Sequence, residues 1–154
     1  MHNRREAREA ALKAIYAVDV GKNSTQQATK LIIKDSLKDD TDAIKFAEKL
    51  LLTTVDYASD YDQIIDQHIK NWEVHRLAIM DKLILRMAIS ELLYFDQVPT
   101  KVTINEAIEL AKEYSTRKSG NFVNGILDAI LSSLIEENRI LKKGRGLIET
   151  SGIK

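Results

Sequence analysis

The sequence predicts an all-α fold, a compact bundle of about seven helices. Three observations support this. The chain has one proline, Pro99, and six glycines, of which only Gly21 lies in the first hundred residues, so helix breakers are scarce. No run of alternating apolar and polar residues bounded by turn residues marks a strand. The 154 residues are 44% hydrophobic and 30% charged, which suits one globular domain with its own core and argues against disorder over the whole length.

The first helix is expected from Arg4 to Val20, stopped at Gly21-Lys22-Asn23 by a C-cap. Ser24 or Thr25 can cap a second helix that ends near Lys38. Residues 39–42, Asp-Asp-Thr-Asp, read as a turn and an N-terminal signal for a third helix reaching Tyr57. Ser59-Asp60 breaks the pattern, and a fourth helix continues to Trp72. Residues 76–95 form the central apolar helix: 14 of the 19 positions 77–95 are hydrophobic, and a helix apolar all round is surrounded by others. Arg86 and Glu91 lie on different sides of it, and each needs a partner from a neighbouring helix, because an unpaired buried charge is costly.

Val98-Pro99-Thr100 is a linker, since the residue before proline avoids the helical region. Thr103-Ile104-Asn105-Glu106 matches a capping box. The helix after it sets Ile104, Ala107, Ile108 and Ala111 on one stripe. Ser119-Gly120 precedes the last helix, with Phe122, Val123, Ile126, Leu127, Ile130, Leu131 and Leu134 apolar. The pattern fades beyond Asn138. The expected division is therefore one helical domain over 1–137 and a basic, loose tail over 138–154.

Several function classes are disfavoured. The chain has no cysteine, so disulfides, thiolate metal sites and cysteine nucleophiles are impossible. His2, His68 and His75 do not share a helix face at ligand spacing, so no metal is expected. No stretch reaches the ~18 apolar residues that cross a bilayer, so no membrane association is expected and the location reads as cytoplasmic. Neither a phosphate-cradling glycine loop nor a GxSxG, HExxH or GxGxxG string is present. Asp60, Asp62 and Asp66 read as a solvated face without an opposing base. The expectation is no catalytic residues, no cofactor and no small-molecule substrate.

Binding signals are stronger. The net charge is zero, with 23 basic and 23 acidic residues, yet the ends are basic and residues 35–66 are acidic, so one face can still meet a polyanion. At about 100° per residue, Arg4, Arg5 and Arg8 fall within one quadrant of the first helix. Leu12 and Ile15 follow in the same sector, so the arginines extend the apolar stripe. Such a cluster suits phosphate; a solvated first turn is the alternative. Residues 117–125, Arg-Lys-Ser-Gly-Asn-Phe-Val-Asn-Gly, place a basic pair and Ser119 at a helix start, where backbone N–H groups favour an anion. Phe122 can stack on an unpaired base, with core packing as the alternative, and Asn124 can read a base edge. Gly125 inside an apolar helix suggests close approach by a neighbour or a ligand.

These residues also carry a resemblance. Val98-Pro99, Asn105–Lys112 and Phe122–Asp128 resemble the C-terminal signature of the NusB antitermination family. Asp81-Lys82, Ile84–Ala88 and Glu91-Leu92 resemble the segment before it, and Arg4-Arg5, Ala7-Arg8-Glu9 and Ala14-Ile15-Tyr16 its opening helix. The likeness spans 4–132 and is weak over 21–70. It implies seven helices in two subdomains, binding of boxA-type single-stranded RNA from ribosomal RNA leader transcripts, a heterodimer with the ribosomal protein NusE, and work within the RNA polymerase antitermination complex. Carried onto this chain, the RNA face comprises Arg4, Arg5, Arg8, Lys118, Ser119 and Phe122, and Asp81 lies on the NusE surface. Asn121 stands where the family often has lysine, which removes one charge. The RNA reading expects the arginines and the Lys118–Phe122 corner to converge. A helical protein-interaction module that binds no RNA of its own is the alternative function.

Overall fold

The computed structural model describes residues 1–69 and 77–147. The expected end of the fourth helix at Trp72, the expected start of the fifth at Arg76, His75, and the tail beyond Leu147 lie outside these residues. The described residues form helices and no strand. They divide into two compact units, Met1–Tyr57 and Ala58–Lys154, in line with the expected two-subdomain helical bundle.

In the first unit, α1 (Arg4–Asp19) packs on α4 (Thr41–Asp56). Ala7, Ala10, Ala11 and Ala14 are buried on α1, and Phe46, Ala47, Leu50 and Leu51 on α4. Small side chains on one helix leave room for larger ones on the other. Asn3 caps α1 in a capping box with Glu6, a signal that the arginine pattern had masked. At the far end the left-handed residue is Lys22, with φ 58°, and not Gly21. Gly21 is needed for space instead: a Cβ there would sit 2.7 Å from the Ala17 carbonyl oxygen.

The expected second helix is continuous from Thr25 to Leu37 but is not uniform. It runs as α2 (Thr25–Ala28), a π-helical turn (Thr29–Ile33) and α3 (Lys34–Leu37), with the Lys34 N–H donating to the Thr29 carbonyl across one extra residue. Asp40 caps α4. Its carboxylate accepts from the backbone N–H of Ala43, at 3.2 Å, and from that of His2. Those N–H donors, His2 first, hold the Asp40 carboxyl below its ordinary value.

In the second unit, α6 (Ile79–Tyr94) contacts α5 (Ala58–Asp66), α7 (Thr100–Tyr114) and α8 (Arg117–Glu136). Its buried residues point in every direction, among them Leu83, Ile84, Leu85, Met87, Ile89 and Leu92. This agrees with the expected central helix. Arg86 finds a partner on α5, donating from Nε to Asp62 Oδ1 at 2.8 Å and from Nη2 to Asp62 Oδ2 at 2.7 Å. Asp62 is therefore not merely a solvated acid. Glu91, 2% exposed, accepts from Thr103 Oγ1 on α7 at 3.2 Å.

That bond corrects the capping-box reading of Thr103. Helix α7 begins three residues earlier, at Thr100 after Pro99. A proline just before the first turn suits a helix start, because no intrahelical acceptor exists there for its missing N–H. Thr103 is buried within the helix and serves Glu91 instead.

The segment after α8, expected to be loose from 138, is anchored as far as it is described. Lys142 is buried, and its ammonium donates to the carbonyls of Glu91 at 3.1 Å and Phe95 at 2.7 Å. It thereby satisfies acceptors at the C-terminal end of α6. The Lys143 N–H donates to the Asp96 carbonyl, and Gly146 lies so close to that carbonyl that a Cβ would not fit.

Two outcomes are expected. Lys142→Met keeps the aliphatic stem and removes the charged donor, so urea unfolding should show a loss of roughly 1.5–3 kcal/mol; an unchanged midpoint would contradict the anchoring role. The lowered Asp40 pKa gives a stabilising contribution that is complete above the ordinary value of 3.8. It is lost as pH falls through the lower folded-state value. Asp40→Ala should therefore lower the melting temperature at neutral pH and flatten its acid dependence below about pH 4.

Candidate nucleic-acid interface

A helix start leaves backbone N–H groups without intrahelical acceptors, and the helix dipole adds positive potential there. Two starts in this chain add positive side chains as well. On α1, Asn3 is the N-cap and Arg4 and Arg5 are the first two helical residues. On α8, Thr116 is the N-cap, its Oγ1 accepting from the Ser119 N–H at 3.2 Å, and Arg117 and Lys118 follow. Two bases at the positive end of a helix oppose the dipole, which disfavours the isolated helix and suits an anionic ligand. Helix α1 offsets this with Glu6, whereas α8 has no acidic residue in its first turn.

The α1 arginines divide into two kinds. Arg4 and Arg5 are exposed. Arg8 is 2% exposed, so the expectation that it grips phosphate directly meets an obstacle: burial extends one turn further along α1 than the apolar pattern indicated. The guanidinium carbons of Arg4 and Arg8 lie 4.2 Å and 5.1 Å from the centre of the Phe46 ring, distances at which a cation is attracted to a ring face. Sequence reasoning missed Phe46, because a phenylalanine in an amphipathic stripe reads as core and nothing local shows which helix will cross it.

The α8 start is also divided. Arg117, Lys118, Asn121 and Asn124 are exposed, and Phe122 is half-buried. Its ring is thus not sealed in the core. Ser119 is buried and is not the cap; it belongs to the helix that Thr116 caps. Its Oγ lies 3.1 Å from Asp81 Oδ2, 3.0 Å from Ser115 Oγ and 3.0 Å from Thr116 Oγ1. Asp81, expected on a partner surface, is itself 9% exposed and turned to Ser119. The reason is the position of α6: a helix at the centre of its unit places even its first turn against a neighbour.

The close approach expected at Gly125 is found at Gly120 instead. A Cβ on Gly120 would lie 3.0 Å from two carbons of Lys112, so the close approach of α7 and α8 occurs there. Gly125 has nothing within 4 Å of the same point, so no neighbour among the described residues explains it. Lys118, Phe122 and Gly125 are spaced to share one face of α8. The turn beyond the Phe122 ring is therefore bare.

The model of the NusB family matches residues 5–132. The chain belongs to the NusB family. The transcription antitermination protein NusB of Salinibacter ruber is 46% identical over 148 residues, covering 96% of this chain and 92% of that protein. The structure of Thermotoga maritima NusB aligns with a TM-score of 0.75 at 35% identity, over 84% of this chain and 90% of that one. A crystal structure of antitermination factors NusB and NusE in complex with dsRNA aligns at 0.77 and 28% identity, over 84% and 96%. Among the described residues no helix is long and apolar enough to cross a membrane, and no group of three acidic or histidine side chains could hold a metal ion.

Removing the exposed glycine isolates its backbone cost. Gly125→Ala introduces no clash and should raise stability by about 0.5–1 kcal/mol, read as a higher urea midpoint. A drop would show that the turn is packed after all.

Proposed function

We propose that this NusB-family chain is a cytoplasmic transcription antitermination factor that binds boxA-type single-stranded RNA of ribosomal RNA leader transcripts together with NusE, as part of the RNA polymerase antitermination complex. It acts by binding alone, with no catalytic step. The observation that carries this reading is the recurrence of one device: paired bases on the first two helical residues of both α1 and α8. The solved complex of NusB and NusE with dsRNA, on a similar fold, supports contact with RNA and with NusE; the preference for a single strand rests on Phe122.

In this reading Arg4, Arg5, Arg117 and Lys118 meet phosphates, where bidentate and point-charge donors act beside backbone N–H groups. Phe122 offers a half-exposed ring to a base, and the bare turn at Gly125 leaves room for it. Asn124, exposed, is available to a base edge. Arg8 contributes through Phe46, holding the α1 start in place, and Ser119 contributes by seating the first turn of α8. Single-stranded RNA is favoured over a duplex because stacking on Phe122 needs an unpaired base, and the grooves of A-form RNA hide base edges.

The decisive measurement is affinity for a boxA-type oligoribonucleotide as a function of salt, with and without NusE. Arg5→Ala and Lys118→Ala should each weaken binding and flatten the logarithmic salt slope by ~0.7, the value for one lost single-strand phosphate contact. Phe122→Leu should weaken binding by ~1–3 kcal/mol with the slope intact. Equal affinity for the matching duplex would remove the stacking role. Retention of NusE without any RNA shift would make the chain a protein-interaction module.

A further inference from the structure

We propose that Asp81 is a positioning residue for the Lys118–Phe122 corner, its buried carboxylate orienting the hydroxyl network that seats the first turn of α8. The proposal rests on the RNA reading above and gives Asp81 a role in that site.

The chemistry follows from donor counting. A carboxylate can only accept, and a serine hydroxyl has a single hydrogen. At 3.1 Å from Asp81 Oδ2, Ser119 Oγ gives that hydrogen to the carboxylate. A lone pair of Ser119 Oγ then receives the hydroxyl hydrogen of Thr116, 3.0 Å away, while Ser115 Oγ, also 3.0 Å away, is a second acceptor for the Ser119 hydrogen that the charged carboxylate outcompetes. Thr116 Oγ1 keeps a lone pair for the Ser119 N–H at 3.2 Å. One carboxylate on α6 thereby sets the direction of the Ser119 hydroxyl and, through it, of the Thr116 hydroxyl that caps α8. Lys118 precedes Ser119 directly, and Phe122 follows three residues later, on the same rigid turn.

Electrostatics supports the same assignment. Helix α8 has two bases and no acid in its first turn. Asp81 supplies, from another helix, the negative charge that the positive helix end lacks. Its second oxygen, Oδ1, is buried without a hydrogen-bond partner among the described residues. A carboxylate only half satisfied is costly to bury. The network it organises and the helix end it faces are what the structure sets against that cost.

Charge and hydrogen bond predict opposite effects on RNA, which makes the proposal testable. Asp81→Asn removes the charge and keeps an acceptor for Ser119. It should bind a boxA-type oligoribonucleotide at least as tightly as the wild type, because a negative charge near the phosphate site is gone. Asp81→Ala is equally neutral but leaves Ser119 with Ser115 alone as acceptor, so the tie from α8 to α6 is lost. It should bind roughly three- to tenfold more weakly than Asp81→Asn, with the salt slope flattened by ~0.7 as Lys118 loses its contact. A purely structural defect would lower the melting temperature without selectively removing one phosphate contact from the slope. Ser119→Ala should reproduce the weakening and abolish the difference between Ala and Asn at position 81; it also carries the test should Asp81→Ala fail to fold.

Equal RNA binding by Asp81→Ala and Asp81→Asn would overturn the proposal, and so would loss of NusE binding by both with RNA binding unchanged. If Lys118→Ala and Arg5→Ala weaken binding in the same assay, that failure belongs to Asp81 alone. If neither does, the RNA reading fails and the proposal with it.

Discussion

A helix packed among several neighbours cannot leave its inward polar groups unanswered, and three of the ionisable side chains of α6 are met from other helices. Asp81 receives Ser119 from α8, Arg86 is held by Asp62 of α5, and Glu91 accepts from Thr103 of α7. The last-turn carbonyls receive Lys142 from the segment after α8. Each neighbour of α6 is thus tied to it by a directed contact of its own. Apolar packing supplies most of the stabilisation, at about 1.5–3 kcal/mol for each large side chain buried, but it tolerates sliding and repacking. Hydrogen bonds with fixed donors and acceptors do not. The rotation of α8, and with it the direction in which Lys118 and Phe122 face, therefore depends on how α6 satisfies its charges.

The same logic links stability to function at the helix starts. Adjacent bases on the first turn of a helix oppose its dipole, and the fold contains this in two ways. On α1 the capping box brings Glu6 to the turn and Phe46 lies under the guanidinium groups. On α8 the compensating acid comes from α6. In both places the leading bases, Arg4, Arg5, Arg117 and Lys118, stay exposed, as the proposed contact with phosphate requires.

Much of this was legible in the chain. The central helix, found as Ile79–Tyr94, was visible because period-independent hydrophobicity means burial on several sides, and the need for partners at Arg86 and Glu91 followed from the cost of an unpaired charge. The basic turns were visible too. What the pattern hid has one cause. Thr103 fitted a capping box, yet it is buried and bonded to Glu91, 12 positions away; Ser119 and Asp81, expected on binding faces, are buried and bonded to each other across 38 positions. A short polar side chain has the same local signature whether it caps its own helix or serves another. The opposite misreading occurred at Gly125, where a helix glycine suggested a close neighbour and the structure shows open space.

By itself, then, the amino-acid order determined the helices, their apolar faces, the NusB-family signature and the positions of the cationic residues, because these depend on local periodicity and side-chain chemistry. Tertiary structure alone decided that Arg8 lies over Phe46 while Arg5 stays exposed, that Asp81 turns inward to Ser119, and that Lys142 closes the end of α6. Those outcomes depend on which helix crosses which, and a hydrogen bond or ring contact between distant segments leaves no periodic trace in either one.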